Sequence, residues 1–486
     1  MRHSPFGTIF RKELLENIRN QRFLLALGLC VVLIPLGFAV QYTDYAARDA
    51  AYRDAVRTFE DGHKSLGNFV QSASMFRPPS PLTPLSAGVE ALLPTSIDTV
   101  GFVGVNGPTL NYVNSSGLGD PFRFLYGPLD LATIAAVVLS ILAVLFAFNG
   151  VSGEKERRTL AQVFSNSVPR STLITAKMAA AFVLIAAAFL VGLLLGALTL
   201  ALQGFEIWAR SATFVPFLIA AGLALVYIFV MVNLGLLVST RSRSSLSAIV
   251  TLVMAWVALF MLVPKAAVIA SKVARPVKSQ QVVDLEKGQV RAQLEKEAEG
   301  EIDKLRKTMP GVKDMTMDAF FKAKRDKNPL VGDYEKKQDE IQGSYRERID
   351  AEMAKLDAFY GTQRDGQTRL AKNLSRLSPV SCFLHGVTEI AGTGLAEVGR
   401  LKENKTAFAS LLENEISRKM KMLRFGNMAM GGDGFDRDAP AAKIVYRQGT
   451  LRDELDGVWP DMALLLFYGI LFFAGAYVSF LRYDLR

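Results

Sequence analysis

Six apolar runs, at residues 23–41, 129–149, 178–202, 213–239, 245–264 and 459–481, interrupt an otherwise polar chain of 486 residues. As helices, runs of this length cross a hydrocarbon core of ~30 Å. The first competes with a secretory signal, but it is longer than such an apolar region, and Phe38-Ala-Val-Gln-Tyr is a poor cleavage site, so it is kept as a span. The pattern predicts an α-helical polytopic membrane protein with six transmembrane helices and a large, mainly helical extracytoplasmic domain.

The polar segments sort by length. Residues 1–22 place Phe6, Phe10, Leu14 and Ile18 at helical spacing with Arg11, Lys12, Glu13, Arg19 and Arg22 between them. That is an amphipathic arm, which either lies in the membrane interface or packs on its own protein. Residues 42–128 form a first outer loop rich in turn formers, including Pro78, Pro79, Pro81 and Pro84. Residues 150–177 make a short charged loop, 265–458 the largest polar region, and 482–486 a tail.

Within 265–458, 35 Lys/Arg against 30 Asp/Glu predict a solvated domain and not a polybasic tether. Val290, Leu294, Ala298, Ile302, Leu305 and Met309 form one stripe at helical spacing, and Ile341, Tyr345, Ile349, Met353, Leu356 and Tyr360 form another. Pro310 and the Asn328-Pro329 step break the helix between them. Two helices of about 27 residues would each reach ~40 Å, as a hairpin that packs on itself or as an arm that binds a partner. Asp433, Asp436 and Asp438 in a glycine-rich stretch fit no defined calcium loop.

Charge supplies the orientation. Half the residues are hydrophobic and 21% are charged, with a formal net charge of +10. The mean hydropathy is +0.23. Basic residues beside apolar spans mark topology and contact with membrane lipid, so no nucleic acid is expected. The arm, the 150–177 loop, the turn after the fourth span and the tail together hold 14 Lys/Arg, whereas the one short loop opposite holds Arg210. Both termini are therefore expected in the cytoplasm.

Candidate chemistry is sparse. Cys30 and Cys382 suggest no disulfide or zinc site, and His3, His63 and His385 are scattered; His385 beside Cys382 reads as structural. No Gly-Lys dipeptide occurs, so no phosphate-binding loop of that type exists and any ATP must be held by another chain. The span interiors lack charge; Tyr227, Asn233 and Trp256 are the polar or amphipathic exceptions, read as interhelical packing or as candidate pathway residues.

One stretch carries a family likeness. The Phe10-Arg11-Lys12-Glu13-Leu14 arm, the segment from Gly153 and Glu154 through Lys155, Glu156, Arg157, Arg158, Thr159 and Leu160, and Pro169, Arg170 and Lys177 resemble permease subunits of type-2 ATP-binding-cassette exporters. The likeness covers all six spans. More narrowly, with 377–394 in the second insertion, it resembles the subgroup with two long extracytoplasmic insertions, related to gliding-motility and copper-maturation permeases. The chain departs from the pattern at Arg158, where the family usually has glycine, and in a shorter Pro-to-Arg spacing.

The resemblance implies a transport subunit of a bacterial inner membrane and no catalytic residues. It implies a separate cytoplasmic ATPase that carries ATP and magnesium, and a second permease, identical or different. Glu154, Glu156, Arg157, Arg158, Thr159, Leu160, Phe164, Pro169 and Arg170 would couple to the ATPase, with Leu160, Val163 and Phe164 as an apolar anchor. Alternatives are an ATP-driven machine that acts on an extracytoplasmic partner protein without passing cargo, and a non-transport scaffold.

Overall fold

The computed structural model describes residues 5–66, 74–100, 109–113, 127–160, 162, 168–205, 211–313, 315–326, 328–425 and 445–483. Six of its helices are long and apolar enough to cross a membrane: Gln21–Asp61, Leu131–Glu156, Arg170–Leu202, Thr213–Arg241, Ser245–Ala274 and Leu451–Leu481. The polytopic α-helical class expected from the apolar runs is the class observed. The chain divides into two compact units, Met1–Pro264 with Arg376–Arg486, and Lys265–Ser375.

In the first unit, α1 (Pro5–Ile18) precedes α2 (Gln21–Leu66). Helix α2 runs 46 residues, well beyond the apolar run that ends at residue 41. Its polar half stays helical because Arg48–Asp44 and Arg53–Asp49 form pairs four residues apart, at 3.0 and 2.6 Å. The next helix, α3, consists of Leu131–Ile134, a π turn at Ala135–Leu139, and Ser140–Ala147. Asp130 caps it by accepting from Thr133 N at 2.8 Å, and its other oxygen accepts from Ala87 N at 2.7 Å.

The remaining helices of this loop end are α4 (Ser152–Glu156), α5 (Arg170–Leu202) and α6 (Ser211–Arg241). Close packing of α2 on α5 rests on a Gly-x-x-x-Gly pair. A Cβ at Gly192 would stand 2.6 Å from Cys30 O, and one at Gly196 would stand 2.6 Å from the Phe38 ring. With no hydrophobic drive between helices inside lipid, such close approach is what holds the pair.

Helix α7 continues through Ser245–Val257, a π turn at Ala258–Leu262, and Val263–Ala274. The polar or amphipathic span residues now have occupations. Tyr227 Oη donates to Ala136 O at 3.2 Å, in the π turn of α3, where a carbonyl has lost its regular helical partner. Trp256 Nε1 donates to Ser140 Oγ at 2.8 Å, one turn along. Asn233 Nδ2 donates to Phe229 O at 2.8 Å, and its buried Oδ1 has no partner among the described residues.

Outside the spans, β1 (Ser74–Phe76), β2 (Ser96–Val100) and β3 (Thr109–Val113) form an antiparallel sheet in that order. Met75 and Ile97 pack with Phe408 and Tyr446. Buried Glu90 ties this region together: it accepts from Ser80 N at 2.8 Å and Thr83 Oγ1 at 3.0 Å, and pairs with Arg48 at 3.1 Å.

The second unit contains α8 (Gln280–Thr308), α9 (Met317–Arg325) and α10 (Pro329–Ser375). Helix α8 stops before Pro310, and Pro329 opens α10, where a missing N–H costs nothing. Glu286 faces Tyr360 at 2.7 Å, while Glu297 faces Arg348 at 3.9 Å, so the two helices run antiparallel. Leu294, Tyr345 and Tyr360 of the two stripes are buried. Helix α10, at 47 residues, is longer than the expected hairpin arm.

The chain then returns to the first unit with α11 (Pro379–Ile390), α12 (Leu395–Phe425) and α13 (Leu451–Leu481). The solvated region drawn at 265–458 is thus divided, and α11 is the reason. Its uncharged run is too short to span, and it is buried: Phe383 stacks on Tyr227 at 4.5 Å, and Ser378 Oγ donates to Leu259 O at 2.6 Å. Beside it Arg376 forks onto Asp461, at 2.7 and 3.0 Å. Charge counted over the whole region averages this apolar element away. The aspartates at 433–438 lie outside the described residues.

Candidate functional site

The charged loop after α3 begins with α4, whose first N–H groups have no helical partners. Ser239 of α6 supplies them: its Oγ accepts from Val151 N and Ser152 N, each at 3.1 Å. Ser152 Oγ in turn donates to Phe148 O at 2.8 Å. At the other end of α4, Glu156 Oε2 accepts from Ser245 N at 3.0 Å and so caps the start of α7, where a negative charge meets the positive helix end.

Glu154 points the opposite way, into the protein. Lys177 of α5 is 6% exposed and donates to Glu154 Oε1 at 2.6 Å and to Glu13 Oε1 of α1 at 2.8 Å. One ammonium thus serves two carboxylates from segments far apart in sequence. Burying these charges costs several kcal/mol each, which the pairing offsets; removing one member leaves the others uncompensated. Glu154 Oε2 has no partner among the described residues.

Two cations complete the loop's attachment. Lys155 Nζ donates to Thr240 O and, at 3.3 Å, to Ser242 O at the end of α6, and it lies 4.2 Å from the centre of the Tyr483 ring. Arg170 Nη1 donates to Leu481 O at 2.8 Å and Tyr483 O at 2.9 Å at the end of α13. Both satisfy terminal carbonyls and favourably oppose the negative ends of helices. Leu160 is 2% exposed, packed with Val151, Leu173, Ile174, Leu236 and Phe480.

The structure therefore gathers Glu154, Glu156, Thr159, Leu160 and Arg170 at one end of the bundle, where they bind the ends of α1, α5, α6, α7 and α13 to the loop. Thr159 Oγ1 donates to Glu154 O at 3.4 Å, closing the turn. Leu160, expected as an outward anchor, faces inward, because an apolar side chain beside five helix ends is most cheaply buried among them. Pro169, Arg157 and Arg158 are exposed. Phe164, like Val163, lies outside the described residues.

Arg158 has φ +59°, the left-handed region in which glycine is at ease. The turn is thus kept without the glycine. Tyr227, Asn233 and Trp256 lie elsewhere, in the span interiors described above. Missed by sequence reasoning were Lys155 and Ser239 as capping groups, and Glu13 as the partner of Lys177. A lysine at the edge of a 25-residue apolar run was the available signal that a buried partner was needed.

A family model described as ABC-2 family transporter protein matches residues 7–485. The chain belongs to this family. No curated protein matches it. Membership makes the chain an ABC-2 permease, a multi-pass membrane subunit of an ATP-binding-cassette transporter, and in this family such subunits work with a partner ATPase and dimerise.

Proposed function

We propose that residues 150–177 are the seat of the separate ATPase, on the cytoplasmic side of a bacterial inner membrane, and that its ATP cycle drives export. The supporting observation is the Lys177 clamp, in which the loop carboxylate of Glu154 and the arm carboxylate of Glu13 share the ammonium of α5. With Arg170 on the end of α13 and Glu156 on the start of α7, a push on the loop reaches five helices. Rigid, packed helices transmit such a displacement instead of absorbing it. The ATPase would hold ATP and magnesium, and this chain would supply no catalytic group.

In this reading Glu154, Thr159, Leu160 and Arg170 secure the loop, whereas Arg157 and Arg158 meet the ATPase, since both are exposed and neither has an ion pair among the described residues. A crevice lined by Pro81, Leu85, Leu200 and Phe217 holds about 10 Å³, room for a single water at most. A second reading, mechanical action on an extracytoplasmic protein, draws on the charged helical pair α8 and α10.

The test is to purify the chain with its ATPase and compare wild type with Arg157→Glu/Arg158→Glu. The expected result is an intact permease that no longer binds the ATPase or stimulates its hydrolysis. Undiminished binding and stimulation by the double variant would remove the loop from the interface.

A further inference from the structure

Lys265–Ser375 carries a feature that ATP coupling does not use. An open groove of about 650 Å³ is lined by Arg275, Pro276 and Val277 on one side and by Ala358, Phe359, Thr362 and Gln363 of α10 on the other. We infer that it binds the phosphate headgroup of a membrane phospholipid, with Arg275 on the phosphate and Phe359 and Val277 against the upper acyl chain.

Position is the first argument. The candidate span Ser245–Ala274 is 30 residues long, and the next residue, Arg275, begins the groove. Thirty helical residues rise ~45 Å. A bilayer measures ~30 Å across its hydrocarbon and ~40–45 Å with its headgroups. A helix that enters one face near Ser245 therefore delivers Arg275 to the headgroups of the other.

Charge and polarity are the second. From residue 265 to 283 the chain holds Lys265, Lys272, Arg275 and Lys278 and no carboxylate. Lys278 is engaged by Glu286 at 2.7 Å. Arg275 is exposed and makes no ion pair among the described residues, while its guanidinium lies against Gly366, where a Cβ would stand 2.6 Å from Nη1. A guanidinium so placed offers the planar donor fork that suits phosphate.

Just before it, Ile269 and Val273 are 62% and 78% exposed, and Lys265, Ile269 and Lys272 follow one another at helical spacing. Apolar side chains flanked by cations at a membrane boundary are the arrangement that lets lysines reach the headgroups while the helix stays in lipid. Phe359, 57% exposed, adds an apolar side chain to the groove itself. A soluble acidic peptide would find the cations but would leave the row beside them without a partner, so the observations favour a lipid. The volume is within the ~300–1,000 Å³ typical of small-molecule sites.

The test uses the full chain with the photoreactive residue p-benzoylphenylalanine at position 359, reconstituted in vesicles of phosphatidylglycerol and phosphatidylcholine, irradiated and analysed by mass spectrometry. A phospholipid adduct is expected, reduced about fivefold by Arg275→Glu as a charge-assisted contact becomes repulsive. Arg275→Gln should fall between, and Lys322→Glu on α9, a matched charge reversal away from the groove, should leave the yield at the wild-type level. Unchanged yield in Arg275→Glu, absence of any lipid adduct, or cross-linking to protein in place of lipid would each overturn the assignment.

Discussion

Lys177 and Lys278 make the same bond in different surroundings. Lys177 stands 2.6 and 2.8 Å from two carboxylates, and Lys278 stands 2.7 Å from one. The side chain of the first is 5% exposed and that of the second 51%. Water and salt already satisfy Lys278, so its pair with Glu286 orders a surface and little more. Among the described residues Lys177 has Glu13 and Glu154 as its ion-pair partners, and it joins α1, α4 and α5. Equal distances thus carry unequal consequences, and desolvation is the variable that separates them.

The sharpest way to break the contrast is to remove each ammonium. Lys177→Met should cost about 3–5 kcal/mol, because the largely desolvated Glu13 and Glu154 lose their shared ammonium and Glu13 is left with the more distant Lys12, at 3.9 Å. Lys278→Met should leave thermal unfolding in detergent unchanged. Adding Glu13→Gln and Glu154→Gln to Lys177→Met should recover most of the loss, and equal effects of the two single lysine variants would end the distinction.

The same contrast extends to glycines. Gly192→Ala presses a methyl onto Cys30 O and should cost about 1–3 kcal/mol. Gly343→Ala, in α10 with open space around it, should stabilise by about 0.5–1 kcal/mol. Both are read from melting temperatures.

A smaller gain is expected from Arg158→Gly. Relief of a left-handed backbone, ~1–2 kcal/mol, is partly offset by the ~0.5–1 kcal/mol entropic cost of glycine, for a net gain of ~0.5–1 kcal/mol in unfolding measurements.

The smallest effect concerns pH. Hydrogen bonds from Lys278 and Tyr360 hold the Glu286 carboxyl below its ordinary 4.5. Its contribution is therefore present above 4.5 and is lost as pH falls through the lower, folded value. Glu286→Gln should remove a slight acid-side slope in the helical signal of α8 and α10, measured by circular dichroism. A steep slope in wild type would mean that the exposed pair does more than its solvation permits.

What was legible depended on range. Apolar runs and proline breaks are local signals, and they anticipated six helices long and apolar enough to cross a membrane and the end of α8 before Pro310. The polar half of α2 was missed because residues after Gln41 lose the apolar run while keeping charge pairs four apart, which maintain a helix without lipid. Helix α11 was hidden by its length: a dozen residues with one carboxylate, Glu389, vanish in the charge average of the region around them. The clamp could not be read at all from neighbours, since Glu13 and Lys177 are 164 positions apart. Arg158 showed only that a glycine was absent, and the backbone angle was needed to show that the turn survived.

The clamp also bears on how the protein is made. Glu13 and Glu154 both precede Lys177 in the chain, so each carboxylate is made before the ammonium that pairs with it. The clamp therefore closes only once Lys177 has been made, and a chain without its first helix would keep the Glu154 half of the pair and lose the Glu13 half.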